Sequence, residues 1–196
     1  RTPLTKLRIK LDLVKDPQVR EPLIRDATRL ASIVTTSLQL AHLSGQSFAF
    51  TSVDLTAIAR SVITEHVPRA IKQGLEIELR APKAKVAISG SEAAIRVALD
   101  NLIANSLRHA PSADIIVVEV LEAHQLKVID HGPGIPTSER EAVLRPFVRG
   151  ASAEAEGTGM GLAIVAQVIH AHGGSVVLGE TPGGGLTVLL TFPHGG

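Results

Sequence analysis

Asn101-Leu102-Ile103-Ala104-Asn105-Ser106-Leu107-Arg108-His109 closes a segment of helical period that opens at Ser91. Ile95, Leu99, Leu102 and Ile103 make one apolar side of it, and Ser91 suits the capping position. Asn101, Asn105 and Arg108 stand at i, i+4 and i+7, so they share another stripe. Asparagine is a poor residue for a helix interior, and a buried amide without a partner costs about 1–3 kcal/mol. Two readings stand. The stripe is a solvated or hydrogen-bonded face, or it is a metal-phosphate site. In the second reading an Asn carbonyl is a hard oxygen ligand suited to Mg²⁺, and Arg108 one turn on reaches the same phosphates.

Outward from this helix the periods alternate. Residues 54–73 read as a helix, Leu75–Arg80 alternates strictly as a strand, and Lys85–Ser89 reads as a second strand. Ile115–Leu121 and Gln125–Asp130 form a strand pair. Residues 131–158 make a long loop rich in Gly, Ala, Ser and Glu, followed by a helix over Gly159–Ala171. Ser175–Gly179 and Leu186–Phe192 are closing strands joined by Thr181-Pro182-Gly183-Gly184-Gly185. Helices and antiparallel hairpins segregate, which predicts an α+β two-layer sandwich.

The front of the chain, residues 1–46, differs. Leu4, Leu7, Leu11 and Val14 repeat at helical spacing. After the breaker Lys15-Asp16-Pro17-Gln18, so do Leu23, Ala27, Leu30, Val34, Ser37 and Ala41. Asp16 can cap and Pro17 suits a first turn, although Pro22 offers a later start. Two helices with a narrow stripe cannot enclose a core. They either lie on the second part, residues 47–196, or pair with a second copy into a four-helix bundle, and a homodimer by that route is the expectation.

Composition narrows the function. The chain has 196 residues, 44% of them hydrophobic, with 20 Lys and Arg against 19 Asp and Glu. That is globular composition without the basic excess of a nucleic-acid binder. Aromatic residues are 2% of the chain, so platforms for stacking single-stranded bases are lacking. With no cysteine, disulfides, thiolate zinc sites and Cys nucleophiles are excluded. No apolar run is long enough to span a bilayer, and any membrane contact is expected through segments outside this chain. The opening Arg1-Thr2-Pro3-Leu4 has no initiator Met and is expected to begin a fragment or a processed product.

Three further clusters carry chemistry. In Lys127-Val128-Ile129-Asp130-His131-Gly132-Pro133-Gly134-Ile135 a strand ends on a carboxylate that can accept a hydrogen bond from an exocyclic amine, and its glycines let backbone approach a flat ring. The same pattern also describes an ordinary turn. In Gly157-Thr158-Gly159-Met160-Gly161-Leu162 a glycine-rich loop runs into an apolar helix, whose first N–H groups and positive dipole end suit phosphate. It fits neither the Rossmann nor the Walker pattern, and a plain glycine linker is the alternative. In Arg145-Pro146-Phe147-Val148-Arg149 the lone Phe147 reads as an anchor for its loop and Arg149 as a phosphate contact. The small residues 151–156 suggest a mobile lid.

In this order the clusters resemble the catalytic ATP-binding domain of sensor histidine kinases, within the wider superfamily of Hsp90, gyrase and MutL. Asn101–Pro111 resembles the N box, Asp130–Ile135 the first glycine box, Arg145–Arg149 the F box and Gly157–Leu162 the second glycine box. Residues 1–46 resemble the dimerisation and histidine-phosphotransfer hairpin, with Arg1-Thr2-Pro3-Leu4-Thr5 similar to the tail of its H box.

The resemblance implies a Bergerat-type fold binding ATP and Mg²⁺. Asn105 would coordinate the metal, and Asn101 would support the phosphate side. Arg108 would meet the phosphates, and His109 would lie beside the nucleotide. Asp130 would read the adenine amine, with Gly132, Gly134 and Ile135 around it. Phe147 and Arg149 would belong to the site. Gly157, Thr158, Gly159, Met160, Gly161 and Leu162 would wrap the phosphates. Thr2 would position water for dephosphorylation of a response-regulator receiver domain. The phospho-accepting His would stand three residues before Arg1, outside this chain. Alternatives are an ATPase of the superfamily, an anti-sigma-type Ser kinase, or an adaptor that binds nucleotide without catalysis. A cytoplasmic location is expected, with a membrane anchor, if present, in the longer protein.

Overall fold

The computed structural model describes residues 16, 18–24, 27, 30, 34, 49–109, 115–148 and 159–193. Among them the main elements run β1 (Thr51–Asp54), α1 (Leu55–Lys72), β2 (Glu76–Arg80), β3 (Ala87–Gly90), α2 (Glu92–His109), β4 (Ile115–Leu121), β5 (Gln125–Ile129), α3 (Gly161–Ala171), β6 (Ser175–Glu180) and β7 (Leu186–Thr191). Two 3₁₀ turns, Thr137–Glu139 and Ala142–Leu144, lie between β5 and α3.

The larger sheet has the order β2-β4-β5-β7-β6, with β2 and β4 parallel and the other pairs antiparallel. A parallel pair needs a long crossover, and the chain between β2 and β4 supplies it with β3 and α2. The register Val118↔Val128 and Val120↔Leu126 puts apolar side chains on one face. Ile116, Val118, Val120, Leu126, Val128, Val188 and Leu190 join one buried core with the helices. On the other face Lys127 Nζ pairs with Glu119 Oε2 at 3.2 Å, directly across the strands. The α+β two-layer sandwich is therefore borne out.

Strand β1 was not legible in the sequence. It is four residues long with one buried side chain, Val53, and it exists by pairing antiparallel with β3. It leads straight into α1, whose cap is Asp54: the Thr56 N–H donates to Asp54 Oδ1 at 3.0 Å. Helix α2 buries Ala94, Ile95, Ala98, Leu99, Leu102, Ile103 and Leu107. Each fully buried Leu or Ile contributes about 1.5–3 kcal/mol of transfer free energy. Ser91 caps this helix as expected, its Oγ accepting the Ala94 N–H at 3.4 Å.

In the front segment, residues 18–24, 27, 30 and 34 are helical. Asp16 caps here too: the Gln18 N–H donates to its Oδ1 at 2.9 Å and the Arg20 N–H to its carbonyl at 2.9 Å. The helix has thus begun by Gln18, and Pro22 stands inside it rather than opening it. Val19, Leu23, Leu30 and Val34 are 42–57% exposed, an apolar stripe left open to solvent. The first predicted helix and Thr2 lie outside the described residues.

Candidate nucleotide site

The site is built where the central strand β5 ends beneath α2. Asp130 follows β5 directly and is 7% exposed. A buried carboxylate needs donors, and it has three. The Gly132 and Leu186 N–H groups donate to Oδ1, each at 3.1 Å. The Ser106 hydroxyl donates to Oδ2 at 2.9 Å. Oδ1 is thus filled by two backbone donors, while Oδ2 has one donor and room for another. The Asp130 N–H in turn donates to the Leu186 carbonyl at 2.9 Å, so β7 holds this residue from both sides.

The turn before β7 presses on the same residue. A Cβ on Gly185 (φ +119°) would overlap the Asp130 carbonyl, and one on Gly134 (φ +69°) would lie 2.8 Å from the Gly185 carbonyl. Gly134 was expected to be glycine for the sake of a bound ring. The close approach it makes in the structure is to Gly185, so backbone packing already requires it. Ile135 packs against the core, and its carbonyl accepts from Arg140 Nε at 3.0 Å, tying the glycine loop to the turns that follow.

Ser106 is adjacent in sequence to Asn105, and Asn105 reaches α3. A Cβ on Gly161, the first residue of α3, would lie 3.1 Å from Asn105 Nδ2, 3.3 Å from Asn105 Oδ1 and 3.3 Å from Asn101 Oδ1. Asn101 Nδ2 donates to the Val97 carbonyl at 2.8 Å, which spends one of its two N–H groups inside the helix and leaves the oxygen on the Gly161 side. No hydrogen bond engages the Asn105 side chain among the described residues. Helix α3 starts at Gly161, and the side chain of its N-cap, Met160, makes no capping hydrogen bond.

The remaining predicted residues fall as follows. Arg108 is exposed and His109 half-buried, both at the end of α2. Gly159, with φ +67°, precedes α3. Met160 is fully buried, and the partly buried Leu162 packs against the core. Phe147 does not anchor its loop: it is 60% exposed with φ +66°. Val143, 5% exposed in the 3₁₀ turn that packs on α3, does that instead. Arg149, Gly157, Thr158 and the expected lid lie outside the described residues. Ser106, Leu186 and Gly185 were missed. Only Ser106 left a trace, as a small hydroxyl among the buried positions of an apolar helix face.

These contacts suit a Mg²⁺-phosphate group better than a resident metal. Among the described residues no three His, Cys, Asp or Glu side chains cluster to cage an ion. Mg²⁺ keeps its waters and takes one or two protein oxygens together with substrate phosphates. The unengaged Asn105 amide beside the Gly161 helix start fits that demand.

Residues 90–196 match the family described as histidine kinase-, DNA gyrase B- and HSP90-like ATPase. The chain belongs to that family. Curated relatives include the sensor-type histidine kinase PrrB of Mycobacterium tuberculosis, 32% identical across 98% of this chain and 45% of its own length. The sensor protein kinase PmrB of Pseudomonas aeruginosa is 30% identical across 98% of this chain and 43% of its own. The chain therefore spans less than half the length of these relatives. Among solved structures, full-length ShkA in complex with AMPPNP aligns with a TM-score of 0.76 at 25% identity, over 98% of this chain and 43% of that one. The ATP-binding domain of PrrB from M. tuberculosis aligns with a TM-score of 0.61 at 28% identity, over 76% of this chain and all of that one. Residues 90–196 are thus the ATPase-like domain of this family. Among the described residues no helix is long and apolar enough to cross a membrane.

Proposed function

We propose that this chain works as the catalytic core of a protein-histidine kinase in a two-component system. The observation that carries the reading is one connected array: Asp130 bound to Ser106, Ser106 adjacent to Asn105, and Asn105 against Gly161. Three clusters that are far apart in sequence thereby meet as one surface with an amine acceptor at one end and phosphate partners at the other.

Asp130 Oδ2 accepts a hydrogen bond from the exocyclic amine of adenine. Ser106 and the two backbone donors hold that carboxylate still, so its orientation costs nothing at binding. Asn105 would hold Mg²⁺ through its amide oxygen, with Asn101 on the phosphate side, and the bound ion supplies charge neutralisation of the phosphates. The N–H groups of the first turn of α3 and the Arg108 guanidinium face the same negative charge, with His109 beside the nucleotide. Gly157, Thr158 and Arg149 complete the phosphate wrap. The ring nitrogen of the acceptor histidine attacks the γ-phosphorus in line. The P–N bond forms as the bond to the bridging oxygen breaks, ADP leaves with the electron pair, and the phosphoryl group passes on to a response-regulator aspartate. Positioning and charge stabilisation carry the rate.

Residues 1–46 form the dimerisation hairpin and residues 47–196 the catalytic domain. The exposed stripe Val19, Leu23, Leu30 and Val34 supports burial against a second copy. Thr2 positions water for regulator dephosphorylation. The catalytic core works in the cytoplasm.

The test uses the full-length protein with Mg²⁺ and γ-labelled ATP. Acid-labile, alkali-stable protein phosphate that moves to a receiver domain is expected. Acid-stable phosphate would assign a Ser kinase, and nucleotide binding without label an adaptor; either overturns the proposal.

A further inference from the structure

We propose that His172 is a positioning residue for the nucleotide site, tying the end of α3 to the start of α2, and that Phe50, stacked on its ring, makes the segment entering the fold a lever on that tie. The inference rests on the nucleotide reading above. His172 caps the C-terminus of α3 and is 3% exposed. One ring nitrogen, Nδ1, lies 2.7 Å from the Val168 carbonyl one turn back. The other, Nε2, accepts the Ser91 backbone N–H at 3.0 Å. A carbonyl can only accept and an N–H can only donate, so these two partners fix the neutral ring with its proton on Nδ1. Burial also holds the imidazole below its usual value, which keeps Nε2 an acceptor.

Ser91 is where α2 begins. Its carbonyl accepts the Ile95 N–H at 3.0 Å and its hydroxyl accepts from Ala94. The fold makes room for the ring there. A Cβ on Gly90 would lie 2.9 Å from His172 Cδ2 and 3.1 Å from Nε2, so a side chain at this strand end would expel it. Two phenylalanines hold the ring in its plane. Phe192 meets it edge-on at 5.9 Å and 87°, and Phe50 lies parallel to it at 4.8 Å and 16°. Phe50 immediately precedes β1 and is itself 43% exposed. The chain thus enters the fold across the face of this imidazole.

The consequence is geometric. Helices α2 and α3 pack against each other in the core, and two polar contacts mark the ends of that seam, His172 with Ser91 and Gly161 with Asn101 and Asn105. At 1.5 Å per residue, Gly161 to His172 is a strut of about 16 Å, and Ser91 to the turn holding Asn101 and Asn105 one of about 15–21 Å. Struts tied at one end set the register at the other. The stretch of α2 from Ser91 to the asparagines is three to four turns and α3 is three, and neither has a proline to bend at, so a shift at Ser91 arrives at the asparagines.

The test is calorimetric Mg-ATP affinity of the 196-residue chain, measured well below each variant's melting temperature. His172→Phe keeps a ring under Phe50 but offers the Ser91 N–H no acceptor; a loss of about five- to tenfold is expected. His172→Gln, whose amide oxygen reaches the place of Nε2, is expected to bind within about twofold of the unsubstituted chain. Phe50→Ala is expected to cost about two- to threefold, and nothing further once His172→Phe has cut the tie. If His172→Phe binds like the unsubstituted chain while melting lower, His172 merely stabilises the fold and the proposal fails. Equal losses for His172→Gln and His172→Phe also overturn it, as does unchanged affinity in Phe50→Ala. That last variant, at a half-exposed position, carries the test if His172→Phe does not fold. No binding by the unsubstituted chain would instead overturn the nucleotide reading itself, and the positioning role with it.

Discussion

The two ends of the candidate site are built on opposite principles. At the Asp130 end all but one acceptor site is engaged. The carboxylate takes three donors, its own N–H is bonded to Leu186, and Gly134 and Gly185 press backbone against backbone. At the Gly161 end groups are left over. The Asn105 amide is unengaged, and α3 starts without a side-chain cap. A saturated end recognises by shape and a single open lone pair, and it is complete before a ligand arrives. An undersaturated end is completed by the ligand's own charge. The difference teaches where binding energy and where stability should reside: polar changes at the first end affect recognition through a rigid frame, and those at the second affect affinity with little effect on folding.

Three substitutions would break or sharpen that contrast. The largest effect belongs to Asp130→Asn. The amide oxygen can keep the Gly132 and Leu186 donors, and its NH₂ can donate to Ser106, whose hydroxyl turns from donor to acceptor. Folding is therefore nearly spared, but the nucleotide amine now meets another donor. Affinity for ATP should fall roughly 100-fold, and much less for inosine triphosphate, whose ring carries an accepting oxygen at that position. Titration calorimetry with both nucleotides decides it, and equal losses would make Asp130 purely structural.

Asn105→Ala comes next. About tenfold weaker Mg-ATP binding is expected, with a melting temperature close to that of the unsubstituted chain. The loss should shrink when ATP is titrated with EDTA in place of Mg²⁺. A full loss without the metal would move Asn105 from metal ligand to phosphate contact.

Gly161→Ala should show the smallest effect and the most telling sign. Alanine is the better helix former by up to about 1 kcal/mol, so thermal melts should rise. Its methyl would stand 3.1 Å from the Asn105 amide and displace it, so affinity should drop about two- to threefold. Higher stability together with weaker binding is the signature of an end kept open for a ligand. A parallel rise in both would argue that the amide is not positioned there for function.

Much of this was readable from local pattern. The helical period around Leu99 and Leu102, the alternation Leu75–Arg80, the Asp16 and Ser91 caps and the strand ending on Asp130 all depend on residues within one or two turns of each other. The four clusters were placed by the same means, and three of them meet through Ser106 and Gly161. Pro22 misled, because a proline inside a helix looks like a start when the Asp16 cap is weighed equally with it. Phe147 misled as well: a lone aromatic in a polar loop suggests burial, but the apolar contact with α3 is made by Val143 in the turn just before.

What the sequence determined by itself is the kind of element at each place and the chemistry each cluster carries, because period, capping and side-chain donors are properties of neighbouring residues. What the tertiary structure alone decided is which groups answer one another. Strand β1 exists by pairing with β3, Asp130 is held by a backbone N–H 56 residues later, and His172 accepts from one 81 residues earlier. Contacts of that separation follow from the strand order and from the mutual exclusion of packed helices, and no local pattern encodes them.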